Sequence, residues 1–330
     1  MLAQTELKDK LLKVNNLKKY YLIKNDFFGG KSRFIKAVDG ISFEVEKGET
    51  FSIVGESGCG KSTTGMCLNG LVRPTSGEIQ FNGNTVSGKS RHQVRKLRKN
   101  MQVIFQDPYS SLNPKHTIKR IISEPLIINR KGPKSEVEDR VSSLVSLVGL
   151  GSHHLYRYPH ELSGGQRQRV GIARALALNP QIVICDEPVS ALDVSIQSQI
   201  LNLFEELQQK LNLTYIFISH DLSVVEHISD RVAVMYLGKI VEQGTKEEIF
   251  NNPQHPYTQA LLSSVPIANP KLKNEKTRII LKGDPPSPKN PPKGCHFHTR
   301  CPYKIEVCTK SYPIMKKIND HHQASCHLLT

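Results

Sequence analysis

The chain has 330 residues, 38% of them hydrophobic, and a formal net charge of +15. That length exceeds one ordinary hydrophobic core and fits one large domain with a smaller one. No apolar stretch approaches the roughly eighteen residues of a membrane span, and the first thirty residues lack the apolar core of a signal peptide, so we expect neither. We therefore predict a cytosolic protein, in which the seven cysteines are reduced.

The positive charge is patchy. Residues 271–330 hold twelve Lys and Arg against four acids, and residues 79–106 hold six against none. Such patches suit nucleic acid, acidic lipid headgroups beside a membrane, or plain solvated surface. Composition leaves these three interpretations open.

In chain order, the apolar pattern first predicts strands. Residues 36–55 fit two short strands around a Lys47-Gly48 turn, and a helix is expected from about Lys61 to Leu71. A strand is predicted near Glu78 to Phe81. The basic stretch 87–100 then predicts an exposed helix that leads into the strand MQVIF.

The rest of the chain alternates helices with apolar strands. Residues 113–178 are predicted to be rich in helix, and the runs QIVIC, TYIFIS and RVAVMY recur with helical stretches between them. This alternation is typical of βαβ units and a mostly parallel sheet. Five prolines within residues 283–294 predict a stiff linker to the cysteine-rich end.

The stretch GESGCGKS lies between the apolar strand TFSIV and a predicted helix, and it matches G-x-x-x-x-G-K-[ST]. Glycines let the loop curl around a phosphate, so that backbone N–H groups and the positive end of the helix point at the anion. Lys61 would reach the β- and γ-phosphates, and the Ser62 hydroxyl would ligate Mg²⁺. The predicted nucleotide-binding residues here are Gly55, Glu56, Ser57, Gly58, Cys59, Gly60, Lys61, Ser62 and Thr63.

A second acidic motif, IVICDE, places two carboxylates at the end of a buried strand. In open α/β sheets, ligands bind at the carboxyl ends of the strands. Asp186 is therefore predicted to hold Mg²⁺, and Glu187 to polarise the attacking water.

The stretch LSGGQRQR, residues 162–169, resembles the signature sequence of ATP-binding-cassette proteins. Physically it is a second anion site, because Ser163 can cap the helix toward Leu178 and the two following glycines expose backbone N–H groups. The resemblance implies a head-to-tail pair of cassettes, with each ATP held between one glycine loop and the partner's signature helix. The residues expected to reach ATP in this way are Ser163, Gly164, Gly165 and Gln166.

Four further positions resemble functional residues of this family. Gln106, after the strand MQVIF, resembles the glutamine that senses Mg²⁺ and water, and His220, after TYIFIS, resembles the switch histidine that contacts the γ-phosphate. Asp193 ends the stretch SALD, residues 190–193, which resembles the loop that crosses the contact between the two cassettes. Tyr20 resembles the aromatic residue that stacks on adenine, although the insertion NDFFGGKSRF blurs the alignment and Tyr21 is a rival.

The resemblance covers nearly the whole chain and is strongest to the F-type ATPase subunits of oligopeptide and dipeptide permeases. It implies an α/β cassette with a mixed or parallel core sheet, an N-terminal antiparallel β subdomain, and a helical subdomain over about 108–178. The expected domains are an ATPase at 1–265 and a linker with a cysteine-rich extension at 266–330.

The resemblance also implies partners and a place. A D-type ATPase subunit, two integral membrane permeases and an extracellular or periplasmic peptide-binding protein are expected, with this chain peripheral on the cytoplasmic face and no specific nucleic acid bound. Relatives import nickel or glutathione, so those substrates stay open. The rivals from other classes are a soluble cassette ATPase acting on nucleic acid or ribosomes, and a redox enzyme built on the cysteine-rich end.

Four cysteines fall near the end of the chain with spacings C-x5-C-x6-C-x17-C. These are not the close C-x2-4-C pairs typical of structural zinc, whereas four irregularly spaced thiolates can hold an iron-sulfur cluster. Family members with a similar pattern are associated with a [4Fe-4S] cluster. We predict such a cluster on Cys295, Cys301, Cys308 and Cys326; zinc, with His296, His298 or His327, and unligated thiols are the alternatives.

Overall fold

A computed structural model describes residues 10–23, 33–88, 91–130, 132–264 and 279–329. They belong to two compact units, the first built from residues 1–88 and 219–330 and the second from residues 89–218. Within the described ranges, no helix is long and apolar enough to cross a membrane. The boundary expected at residues 265–266 and most of the insertion NDFFGGKSRF lie outside the described residues.

The strands, in chain order, are β1 (Lys10–Ile23), β2 (Arg33–Glu46), β3 (Thr50–Val54), β4 (Ser76–Phe81), β5 (Asn84–Thr85), β6 (Met101–Ile104), β7 (Ile182–Asp186), β8 (Thr214–Ser219), β9 (Arg231–Tyr236), β10 (Lys239–Thr245), β11 (Lys316–Asn319) and β12 (His322–Ala324). The helices are α1 (Lys61–Leu68), α2 (Arg91–Asn100), α3 (Pro108–Ser111), α4 (Ile118–Ile128), α5 (Lys134–Leu147), α6 (Gly164–Leu176), α7 (Val194–Leu211), α8 (Leu222–Ile228), α9 (Lys246–Asn251), α10 (Pro256–Ser263) and α11 (Val307–Lys310). Two 3₁₀ turns span Ser152–Tyr156 and Pro159–Glu161.

The first unit contains an antiparallel sheet of order β2-β1-β4-β5. Buried Leu12 and Val14 of β1 lie opposite Val45 and Phe43 of β2, so one face of the hairpin is apolar. This sheet is the N-terminal antiparallel β subdomain that the sequence predicted.

The same unit carries a second run of strands in the order β11-β12-β10-β9-β3. Strands β3 and β9 are parallel, while β9, β10, β12 and β11 pair antiparallel, which makes the sheet mixed. Every residue of β3 is buried. The loop that follows β3 therefore starts from a fixed point at the carboxyl end of a parallel strand, where ligands bind in such sheets.

The second unit is built on the parallel strands β8, β7 and β6, in that order. The residues of β7 and β8 are buried throughout, and Phe204 of α7 packs edge-on against Tyr215 and Phe217 of β8. Helices α3 to α6 form the helix-rich segment that the sequence predicted. In the first unit, α1 ends at Leu68 rather than Leu71, because Gly70 turns into the left-handed region at φ 72°.

The cysteine-rich tail, described over residues 279–329, is joined to the first unit through that unit's sheet and core. Strand β12 pairs with β10, and His322 of β12 contacts Glu242 of β10 at 2.8 Å, with both side chains fully buried. Phe297 is 1% exposed and joins the apolar core that contains Tyr236 and Tyr257. A segment too short to bury its own apolar residues thus shares the core of the first unit.

Candidate nucleotide site

The loop GESGCGKS has a backbone that requires its glycines. Gly55, Gly58 and Gly60 have φ angles of 149°, 77° and 111°, in a region that residues with a Cβ rarely adopt. A Cβ at Gly55 would lie 2.1 Å from the Met235 carbonyl oxygen, and one at Gly60 would lie 2.0 Å from the Ala37 carbonyl oxygen. The loop therefore packs tightly against neighbouring backbone of its own unit, and this packing fixes its curled conformation.

Lys61 begins α1 and turns back over the loop. Its ammonium group donates to the carbonyl oxygens of Gly55 at 2.7 Å and Glu56 at 3.1 Å, and the residue is 4% exposed. The helix start carries no side-chain cap, because its N-cap is Gly60. The first turn of α1 can therefore offer backbone N–H groups to an anion, together with the lysine charge. Cys59 is buried, which raises the pKa of its thiol to about 11 and makes it unreactive.

Tyr20, near the end of β1, is partly buried, and its hydroxyl donates to Asp39. Burial raises the pKa of Tyr20 and the Asp39 carboxylate raises it further. Its neighbour Tyr21 is 38% exposed and lies under the Lys19 ammonium group. The hydroxyl of Tyr20 is anchored and its ring is partly accessible, so stacking on adenine stays a prediction for this residue.

Three predicted residues of the second unit lie at the carboxyl ends of β6 and β7. The Gln106 side-chain amide donates to a Glu187 carboxylate oxygen at 2.8 Å, and Asp186, the last residue of β7, is 8% exposed. The Glu187 N–H donates to the Ile218 carbonyl at 2.9 Å, which ties its backbone to β8. The structure thus brings Gln106 and Glu187 into direct contact, which the sequence did not predict.

Glu187 also has an unusual backbone. Its φ is 48°, in the left-handed region, although it is not a glycine. Such a conformation costs on the order of 1–3 kcal/mol and is found most often where function fixes a side chain. Hydrogen bonds on both sides hold the Glu187 backbone in this conformation. The Glu187 N–H donates to the Ile218 carbonyl, and the Ser190 N–H and hydroxyl donate to the Glu187 carbonyl.

The signature stretch forms the start of α6, as predicted. The Ser163 hydroxyl accepts from the Gln166 N–H at 3.3 Å, and the Gln166 side chain accepts from the Ser163 N–H at 3.0 Å, a reciprocal capping box. A Cβ at Gly165 would lie 2.6 Å from Ile196 of α7, and one at Gly164 would lie 3.2 Å from a Leu192 methyl group. The glycines therefore also let α6 approach the SALD stretch and the start of α7 closely.

The last two candidates, His220 and Asp193, are exposed. His220 directly follows β8, and Asp193 is the N-cap of α7 without making a side-chain cap hydrogen bond. Their positions at the ends of a strand and a helix match the predicted elements. Their contacts with nucleotide stay predictions.

None of the four tail cysteines is in a disulfide. The Cys295 N–H donates to the Cys308 carbonyl at 2.9 Å. Burial, together with smaller contributions from the thiols of Cys308, Cys326 and Cys301, raises the pKa of Cys295 to about 11. Across the described ranges, however, no three His, Cys, Asp or Glu side chains are arranged to hold a metal ion.

Comparison with known proteins identifies the family. The ABC transporter family matches residues 38–190, and the family described as "Oligopeptide/dipeptide transporter, C-terminal region" matches residues 241–308. The oligopeptide transport ATP-binding protein AppF of Bacillus subtilis is 54% identical over 321 residues, which cover 97% of this chain and 98% of that protein. The chain belongs to the ATP-binding subunits of ABC transporters. The dipeptide transport ATP-binding protein DppF of Escherichia coli is 52% identical and aligns with 95% of this ABC subunit and 93% of its own length.

Solved structures agree with this assignment. CbiO1 of Clostridium perfringens, part of the ABC transporter complex cbiONQ, has a TM-score of 0.64 at 33% identity and covers 74% of this ABC subunit and 92% of its own chain. A dimeric ATP-binding cassette in a post-hydrolysis state with ADP and phosphate has the same TM-score at 28% identity, covering 71% and 98%. The predicted cassette fold and the predicted ATPase class are thereby confirmed.

Proposed function

We propose that this ABC subunit hydrolyses ATP to power import of oligopeptides or dipeptides across the cytoplasmic membrane, as a peripheral subunit on its cytoplasmic face. The observation that carries the proposal is the tail. Residues 241–308, which include the first part of the tail, match the C-terminal region of oligopeptide and dipeptide transporters, and the structure places Phe297 in the core and β12 in the sheet of the first unit. The relatives AppF and DppF are named as oligopeptide and dipeptide transport ATP-binding proteins, and the alignments cover nearly their full lengths.

The first unit supplies phosphate binding in this proposal. The loop from Gly55 to Thr63 cradles the phosphates of ATP with its backbone N–H groups, and Lys61 turns from the loop carbonyls to the β- and γ-phosphates. Tyr20 stacks on adenine, and His220 contacts the γ-phosphate. The support is a built-in loop curvature, a buried lysine and an uncapped helix start.

Residues of the second unit prepare the water for attack. Glu187 accepts a hydrogen bond from water and aligns it with the γ-phosphate, while Gln106, which already donates to Glu187, orients that carboxylate. Because the Gln106 nitrogen faces Glu187, its oxygen is left to face a cation. That oxygen, the Ser62 hydroxyl and the Asp186 carboxylate are the hard oxygen donors that Mg²⁺ prefers, so they fit the ion. Mg²⁺, when bound, neutralises charge on the phosphates.

A second cassette completes the site in this proposal. The capped start of α6 and the exposed Asp193 reach the ATP held by the partner's glycine loop, with Ser163, Gly164, Gly165 and Gln166 facing the phosphates. The solved cassette with ADP and phosphate is a dimer. We infer a D-type ATPase partner, two integral membrane permeases and an extracellular or periplasmic peptide-binding protein.

We further propose that Cys295, Cys301, Cys308 and Cys326 hold a [4Fe-4S] cluster that staples the tail. The Cys308 thiol raises the pKa values of Cys295, Cys301 and Cys326, so it lies within electrostatic reach of these three side chains. Their spacings lack the close C-x2-4-C pairs typical of structural zinc, whereas four cysteine thiolates are the usual ligands of such a cluster. Anaerobic purification followed by iron and sulfide assay tests this, and stoichiometric zinc without iron would refute it.

Reconstitution tests the transport function. The subunit is co-purified with its membrane partners and placed in proteoliposomes, where addition of peptide-loaded binding protein is expected to stimulate ATPase activity and peptide uptake. The Lys61→Ala variant should lose both activities, whereas Lys210→Ala, which removes an exposed lysine paired with Glu206, should lose neither. Stimulation by nickel or glutathione instead of peptide, or tight binding to RNA without any membrane partner, would refute the proposal.

A further inference from the structure

The tail touches the nucleotide loop through Arg300. Its Nη1 donates to both carboxylate oxygens of Glu56, at 3.0 and 2.8 Å. The Arg300 side chain is 8% exposed and that of Glu56 is 26% exposed, so the pair is shielded from solvent on the arginine side. An arginine–carboxylate pair with little solvent is stronger than an exposed surface pair.

Glu56 is also held by its backbone. Its N–H donates to the Tyr257 hydroxyl at 2.9 Å, and its carbonyl accepts from the Cys59 N–H at 3.3 Å as well as from the Lys61 ammonium. The N–H, the carbonyl and the carboxylate of one loop residue are therefore all engaged. Loss of a partner at the Glu56 carboxylate therefore disturbs the conformation of the loop. That conformation sets the directions of the N–H groups that bind phosphate.

Arg300 in turn is held by a buried anchor. Its N–H and that of Cys301 both donate to the Phe297 carbonyl at 3.0 Å. Phe297 packs edge-on against Tyr236 with ring centroids 5.3 Å apart, and its ring is tilted against that of Tyr257 at a centroid distance of 5.4 Å. The same turn thus carries a core aromatic ring, the loop-binding arginine and one of the four tail cysteines.

The charge of Glu56 gives this contact a consequence for ATP. A carboxylate in a loop that binds a polyanion repels the ligand unless its charge is compensated, and such repulsion is stronger where solvent screens it poorly. Arg300 supplies that compensation from the tail.

We propose that Arg300 is a positioning residue for ATP: it neutralises and orients Glu56, and so makes ATP affinity depend on the folded tail. The proposal rests on the proposed placement of ATP at the loop from Gly55 to Thr63. Any event that unfolds the turn at Cys301 withdraws the arginine and weakens ATP binding without touching the residues that perform hydrolysis.

The test is steady-state ATPase kinetics of the complete transporter, purified with its partner subunits. Arg300→Gln is expected to raise KM for MgATP about fivefold and to leave kcat within about twofold, because ground-state binding is affected and hydrolysis is not. The double variant Arg300→Gln with Glu56→Gln should return KM to within about twofold of wild type, since the uncompensated charge is gone. Lys310→Gln, which removes an exposed tail lysine paired with Glu306, should leave KM unchanged.

An unchanged KM in Arg300→Gln overturns the proposal, and so does a double variant as impaired as Arg300→Gln. If Arg300→Gln does not fold, Arg300→Met decides: it removes the charge and keeps an aliphatic side chain, so its KM should also rise about fivefold, and an unchanged KM overturns the proposal. Lys61→Ala separates this inference from the proposed site. If Lys61→Ala binds MgATP normally, the site itself is misplaced; if it loses binding while Arg300→Gln behaves as wild type, only the role of Arg300 is wrong.

Discussion

Replacing Phe297 with alanine tests whether the tail is part of the ATPase core. The ring is 1% exposed and contacts Tyr236 and Tyr257. Deleting a buried phenylalanine ring costs about 3–5 kcal/mol, which includes the cavity and the lost aromatic contacts. In a unit of this size each kcal/mol lowers Tm by about 2–4 °C, so a fall of roughly 10 °C is expected.

The assay is thermal unfolding followed by far-UV circular dichroism, because the chain has no tryptophan to report by fluorescence. The matched control is Ile314→Ala, which removes a tail residue that is 75% exposed and should change stability by no more than about 0.5 kcal/mol.

Amide hydrogen exchange then locates the damage. In Phe297→Ala, exchange should speed up at β3 and β9 as well as in the tail, because they share one core. Faster exchange confined to residues 295–329, with β3 and β9 as protected as in wild type, would refute the shared core.

Three other changes follow from the described geometry. Gly60→Ala places a Cβ 2.0 Å from the Ala37 carbonyl oxygen and should abolish MgATP binding, measured by calorimetry; normal affinity would contradict the rigid loop. Glu187→Gln should lower ATP turnover about 10²–10⁴-fold and keep ATP bound, and an unchanged kcat would remove Glu187 from the water-activating role. Burial raises the pKa of Glu49 to about 7 despite the Arg231 ion pair, so the folded state holds a proton that the unfolded state releases near pH 4.5. Stability should therefore fall as pH rises from about 4.5 to 7, and Glu49→Gln should flatten that slope in urea titrations at several pH values.

Sequence patterns predicted most of this fold because its signals are local. The alternation in β2, the apolar runs of β7 to β9 and the capping residues of α6 each act within a few residues of chain. The glycine loop and the strand-end carboxylates were found for the same reason, since their chemistry requires adjacent residues.

Contacts between distant segments were not predictable. Gln106 and Glu187 follow two different strands, and Arg300 and Glu56 lie near opposite ends of the chain. A single sequence contains no pattern that shows that either pair is in contact. The prolines before the tail predicted a stiff linker, but they do not indicate where the tail docks. The apolar residue that docks it, Phe297, looks in the sequence like any other aromatic residue.

The shared core also affects how the protein is made. The first unit begins with residues 1–88 and is completed by residues that a ribosome adds only after the entire second unit. At about 5–20 residues per second, a nascent chain waits many seconds before Phe297 emerges to cover Tyr236 and Tyr257. During that interval the early strands are synthesised but their core is open, so a chain that stops short of the tail exposes apolar surface to chaperones and proteases.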